Sequence, residues 1–176
     1  MVLEAPLWLQ AGTYPARLDR MFIEQVMRGQ NRVFSGLAVT QRAAGANFTV
    51  DISAGPAVVK GTTQAFQGMY FIRSTAVANI AVPSTPATTR TDSVVATIQD
   101  PDGGGTAGNN WILQVVQGTT PPENSLVLAT IARTSNEAAI LAAAITDLRP
   151  LGQWSWTVST TAPTGKGVPG DLWVVV

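Results

Sequence analysis

Two guanidinium–carboxylate pairs and one acidic loop are the residues of this chain whose spacing could do chemistry. Arg90 and Asp92 stand two apart at the entry to a strand-like run, and Asp147 and Arg149 repeat that spacing in ITDLRP. Residues two apart on a strand share a face. Each pair could therefore present a recognition fork, or close a local ion pair that fixes a strand end or corner. The structural use is the expectation. Asp100-Pro101-Asp102-Gly103 resembles the start of a calcium loop, but an EF-hand would need a glutamate where Trp111 stands. A solvated turn is expected there. Gly103–Gly105 and Gly108 do not lead from a buried strand into a helix, as a phosphate-binding loop would.

The remaining catalytic chemistries find little material. The chain has no histidine and no cysteine, which removes the usual general base, the commonest metal ligand and any thiolate site. A Ser–Lys hydrolase would have to use Lys60 or Lys166, and both sit in loop-like sequence without a nucleophile motif. A glycosidase needs two carboxylates across a cleft. The eleven acidic residues make such a pair available, but none lies in a recognisable motif. No catalytic residue, metal site or cofactor is expected. Trp8, Trp111, Trp154, Trp156 and Trp173 could bind sugars or anchor interfaces. Trp154 and Trp156 fall on one strand face, and packing or subunit contact is the simpler use.

The elements that must position these residues are mostly strands. In Leu37–Gly61, Phe48, Val50 and Ile52 alternate with Asn47, Thr49, Asp51 and Ser53, which predicts a strand with one buried face. Further strands are predicted at Leu37–Gln41, Ala57–Lys60, Met69–Ser74, Asn79–Val82, Ser93–Gln99, Trp111–Gln117 and Leu126–Arg133, separated by Gly- and Pro-rich turns. Pro15–Arg28 reads as an amphipathic helix, with Pro15 at its first position, Thr13 or Tyr14 as cap (Thr13 the better chemistry) and Gly29 as its stop. Its stripe Leu18, Met21, Phe22 and Val26 is expected to be buried. Thr134-Ser135-Asn136-Glu137 has capping-box spacing before an Ala-rich run, which predicts a short helix.

The two ends carry the candidate interface. Leu7, Trp8 and Leu9 lie in an extended arm that must dock on its own domain or a neighbour. Trp154, Trp156 and Val158 alternate as a strand, and Leu172, Trp173, Val174, Val175 and Val176 form a last strand that is apolar on both faces. Such a strand is normally covered on both faces. Cover from a neighbouring subunit is the expectation, and folding back into its own sheet is the alternative.

Composition fits either a covered subunit or a β protein with a polar, uncharged surface. Charged residues are 12% of the 176, against about 25% in ordinary soluble domains. Net charge is zero and the basic residues are scattered, which argues against nucleic acid as a partner. No apolar run reaches the roughly 20 residues of a membrane span. Met1-Val2-Leu3-Glu4 lacks the basic start and apolar core of a signal peptide, so no export is expected.

Several blocks together resemble bacteriophage minor tail proteins, the tail-tip or baseplate components of siphophages of actinobacteria. They are LAVTQRAAGANFTVDISAG at Leu37–Gly55, QGMYF at Gln67–Phe71, TRTDSVVATIQD at Thr89–Asp100, LQVVQGTTPP at Leu113–Pro122 and ITDLRP at Ile145–Pro150. The opening Tyr14–Arg20 and the closing Ala162-Pro163-Thr164 with Pro169–Trp173 are also similar to that family. The resemblance implies a structural virion subunit, made in the host cytoplasm, that acts through assembly and in host attachment. It implies partners among copies of itself, as a trimer or a ring of threefold or sixfold order, and among other tail proteins. The alternative is a host-surface or glycan-binding adhesin module of the tail. The expected architecture is a mainly β, antiparallel sandwich-like domain at 35–150. An N-terminal arm and amphipathic helix (1–34) precede it, and a C-terminal β extension (151–176) follows.

Overall fold

The computed structural model describes residues 15–84, 87–101, 108–151, 156–159 and 172–175, the last two stretches by backbone alone. The chain is mainly β. Helix α1 (Ala16–Val26) precedes β1 (Arg32–Val33), β2 (Val39–Gln41), β3 (Thr49–Ile52), β4 (Gly55–Lys60), β5 (Met69–Ser74) and β6 (Ala78–Ala81). Then come β7 (Arg90–Gln99), β8 (Asn110–Gln117), β9 (Ser125–Arg133), β10 (Ile145–Asp147), β11 (Trp156–Ser159) and β12 (Leu172–Val175). Three antiparallel sheets, in the orders β1-β4-β5, β2-β3-β6 and β10-β9-β7-β8, form a sandwich-like body. The short β1 and β10 have no counterpart among the predicted strands.

The first two sheets are one three-stranded meander bent across its middle. The central strand runs β3 to β4 and its neighbours run β1 to β2 and β5 to β6. Ile52 pairs with Ala78 and Gly55 with Ser74, so Ser53 and Ala54 oppose residues 75–77. The same slip separates Val33↔Ala57 from Val39↔Ile52. An extra residue on each outer strand lets a sheet turn a corner. The corner also needs backbone to meet backbone. A Cβ on Gly36 would lie 1.8 Å from the Ala54 carbonyl oxygen, and one on Gly55 would lie 2.1 Å from that of Ser35. Gly36 moreover has φ +62°, which favours glycine.

The bend folds the meander over the third sheet. Val33, Val50, Ile52, Ala57, Val59 and Ile72 of the meander meet Val94, Ala96, Ile98, Leu126, Leu128 and Ile131 in one core. In β9 the register slips, with Val94 opposite Ala129 but Val95 opposite Val127. The extra residue, Leu128, is thereby buried together with its neighbour Ala129. The sandwich closes along both sides, because β2 runs beside β10 and β6 beside β8. Trp111 packs its partly buried ring against this core. In β3, Val50 and Ile52 are fully buried and Thr49 and Asp51 are not, as the alternation predicts.

Three expectations need correction. Pro15 occupies the cap position of α1, not its first position, and the helix ends at Val26. Thr13 and Tyr14 lie outside the described residues. The buried face of α1 is not the Leu18–Phe22–Val26 stripe, since Phe22 and Val26 are each 45% exposed. Ile23 and Met27 face the body instead and pack with Val58, Met69 and Phe34. The helix docks along this line because Gly68 (φ +78°) admits its backbone; a Cβ there would lie 2.4 Å from the Arg20 carbonyl carbon. The third correction concerns residues 134–145, which form no α-helix. A 3₁₀ turn at Ala142–Ala144 leads into β10. Tertiary bonds override the helix propensity: Ile140 N–H donates to the Asn47 carbonyl at 2.9 Å, and Ala142 N–H donates to Gln41 Oε1 at 2.9 Å.

The final strand pairs within its own chain. β12 runs parallel to β11, with Trp156 opposite Leu172 and Ser159 opposite Val175. Leu7, Trp8, Leu9, Trp154 and Val176 lie outside the described residues.

Two mutational outcomes follow from this packing. Gly55→Ala should destabilise the fold by about 3 kcal/mol, the upper range for overpacking, because the added methyl meets backbone that cannot rotate away. Urea unfolding checks it. In the same assay Met27→Ala should cost about 2 kcal/mol, while Val26→Ala should stay within about 0.5 kcal/mol of the parent.

Candidate functional site

The sequence-selected pair Arg90–Asp92 sits at one end of the core. Arg90 grips Asp92 with two bonds, Nε to Oδ1 at 2.8 Å and a second guanidinium nitrogen to Oδ2 at 3.2 Å. The register of β7 on β9 then brings Arg133 directly opposite Arg90. Two like charges across a strand pair repel, and carboxylates offset this. Arg133 donates to Asp92 Oδ2 at 2.9 Å and forms a second ion pair with Glu137. Another of its nitrogens donates to the Pro83 carbonyl at 2.8 Å. Asp92 also accepts from the Gly118 N–H at 3.2 Å. The side chains of Asp92 and Arg133 are both 0% exposed. Two cations and two anions thus close a neutral network over the core, tying β7, β9 and the chain before β7 together.

Burial alone would push the Asp92 carboxyl up. The Arg90 fork, the Gly118 N–H and the Arg133 charge outweigh it and hold the group below the usual 3.8. Glu137 also accepts from the Thr134 N–H at 3.2 Å. That is the contact the capping-box spacing anticipates, here used to seat an ion partner and not to start a helix.

Asp147 and Arg149 form the second sequence-selected pair, also bidentate, at 2.8 and 2.5 Å. This pair holds the bend. Arg149 Nη1 donates to the Gly36 carbonyl at 2.6 Å, where the two glycines touch. The Arg149 fork holds the Asp147 carboxyl below its usual range. The structure does not bring the two pairs together into one site.

A third polar cluster was not apparent from sequence. The Tyr70 hydroxyl donates to Asp100 Oδ2 at 2.6 Å and accepts from Gln67 Nε2 at 2.9 Å. Arg20 lies 4.9 Å above the Tyr70 ring, and its Nε donates to the Gln67 carbonyl at 3.0 Å. Burial, then the Asp100 carboxylate, push the phenol above its ordinary range. Beside it, the buried Asn124 accepts from Thr62 N–H at 2.7 Å and donates to Thr63 Oγ1 at 2.6 Å. These groups anchor α1 and the β4–β5 turn to the rest. Isolated Arg, Gln, Tyr and Asn residues carry no spacing signal, so only the fold assembles them.

Among the described residues, no three His, Cys, Asp or Glu side chains group as a metal site. No described helix is long and apolar enough to cross a membrane. No protein-family model matches this chain, and no curated protein or solved structure matches it significantly.

Two outcomes test the ion networks. Arg133→Met should cost about 3–5 kcal/mol in urea unfolding, because it strands buried carboxylates and carbonyls without a partner. Asp92 and Asp147 titrate lower folded than unfolded, so their stabilisation is complete above the usual 3.8 and is lost as pH falls through the folded values. Melting temperature should be flat from about pH 5 to 8 and drop below about pH 4. Asp92→Asn should lower the plateau and shrink that acid drop.

Proposed function

We propose that this chain is a structural subunit of a bacteriophage tail tip or baseplate, not an enzyme, and that it works by assembly. The carrying observation is how the fold divides its groups. Arg90, Asp92, Arg133, Glu137, Asp147 and Arg149 are spent on fixing corners and ends of the sandwich. The outward face also carries large apolar side chains: Phe66, Phe71, Val77, Leu141, Leu148 and Leu151 are exposed. Scattered exposed apolar residues are normal, but here they accompany a charged fraction of only 12%. A surface of this kind suits burial against neighbours better than free solution. The tail-protein resemblance of the strand and corner blocks points the same way, and it implies a virion location with copies in threefold or sixfold order.

The alternative reading, a glycan-binding adhesin of the tail, draws on Phe34 and Phe71, whose rings lie 6.4 Å apart with Phe71 exposed. Antibody labelling of intact virions separates the readings. Label at the tail end, with no binding of the purified chain to host envelope glycans at micromolar concentration, supports the structural subunit. Label elsewhere, or none on purified particles, overturns it, and specific glycan binding favours the adhesin.

A further inference from the structure

The sheet β1-β4-β5 has two faces, and only one of them meets the core. Val33, Ala57 and Ile72 point inward. Residues paired across strands share a face, and the side alternates along each strand. Arg32 lies opposite Val58, Val58 opposite Phe71, and Pro56 opposite Arg73, so these residues and Phe34 form the outer face. Helix α1 covers one end of it, where Ile23 and Met27 pack with Val58 and Met69. Beyond the helix, Phe71 and Arg73 are exposed, and Arg32 and Phe34 are half-buried. The Phe34 and Phe71 rings lie 6.4 Å apart, tilted by 34°. What stays open is an aromatic pair between two arginine positions. Neither Arg32 nor Arg73 forms an ion pair among the described residues. Glu24 of α1 is taken by Lys60, at 3.5 Å.

We propose that this face receives an extended segment of another protein, of the pattern acidic–x–apolar–x–acidic. This names the chemistry of a partner for the assembly reading and rests on it. The spacing follows from the sheet. Arg32 and Arg73 stand two strand spacings apart, about 10 Å, and are offset by two residues, about 7 Å. The diagonal between them is about 12 Å on those spacings. Residues four apart in an extended chain are about 13 Å apart and share a side, with the second residue midway between them. Two carboxylates so placed meet both arginines through charge-assisted bonds. The apolar residue between them meets the two rings. A second copy cannot supply this pattern, because no two of the eleven acidic residues in the sequence stand four apart. A glycan fits the face less well. Sugar hydroxyls need acceptors as well as donors, and the Arg, Phe, Pro and Val side chains here accept nothing.

Fluorescence anisotropy of the purified full chain with a labelled peptide, TETFTET, tests the face. The peptide should bind saturably. TTEFETT, of the same composition but closer acids, and TKTFTKT should each bind roughly tenfold more weakly. Arg73→Glu and Phe71→Ala should each weaken TETFTET roughly tenfold. The double variant Arg32→Glu/Arg73→Glu should instead prefer TKTFTKT, with an unchanged melting temperature. That reversal distinguishes a direct contact from a disturbed fold, and Phe71→Ala keeps the test open if the double variant does not fold. No saturable binding at millimolar peptide, equal binding of TTEFETT, or no reversal in the double variant would overturn the proposal. So would tighter binding of an acidic polysaccharide or of oligothymidylate. Oligomers of the full chain that the double variant dissolves would assign the face to a second copy, and overturn it too. Virion labelling is scored separately. Tail label without peptide binding sinks only this face, whereas peptide binding with unlabelled particles leaves the face standing and sinks the assembly reading.

Discussion

The contact between Gly36 and Gly55 is the constraint on which the rest of the structure depends. Three strands can turn together only where backbone reaches backbone, and any side chain at either position would occupy a neighbouring carbonyl. The bend makes one meander do the work of two sheets. One half covers the core from above, closing against the β7–β9 sheet along both sides. The other half turns its outer face toward α1, which packs against β5. Arg149, gripped by Asp147, holds the corner from the end of the third sheet. A hydrophobic core is non-directional; the directional contacts at this corner specify where the sheet bends.

Buried charge serves the same end elsewhere. Arg133 and Asp92 sit fully inside the body, where an unpaired ion would be strongly destabilising. Every guanidinium group there faces a carboxylate or carbonyl, so the network is neutral and satisfied. Such a network adds little net stability over a well-packed apolar cluster. It fixes strand register, because β7 slipping on β9 by one residue would turn Arg133 away from Asp92. The residues of this network thus act as internal fasteners.

Much of the fold was legible from residue order. Alternation at Phe48–Ser53 placed a half-buried strand, and the turn residues bounded its neighbours to within a few positions. The two-residue spacing of Arg90–Asp92 and Asp147–Arg149 marked both ionic fasteners. The failures have identifiable causes. Helix α1 carries two apolar lines, Leu18–Phe22–Val26 and Ile23–Met27, and periodicity could not choose between them. The choice fell to the side on which Gly68 lets the helix approach. The Thr134–Glu137 spacing gave a true local contact, but Arg133 claimed the same carboxylate and Asn47 claimed the backbone of Ile140. Local propensity is worth tenths of a kcal/mol per residue, too little against such tertiary bonds.

By itself, then, the sequence determined the β class, the positions of the longer strands, the lack of thiol and imidazole groups, and the two local ion pairs. These depend on near neighbours in the chain or on composition. Only the tertiary structure decided that Arg133 and Glu137 complete the Asp92 network, that Arg149 reaches Gly36, and that Arg20 stacks on Tyr70. Each of these joins residues far apart in sequence, and their meeting is set by strand register and by the bend at two glycines.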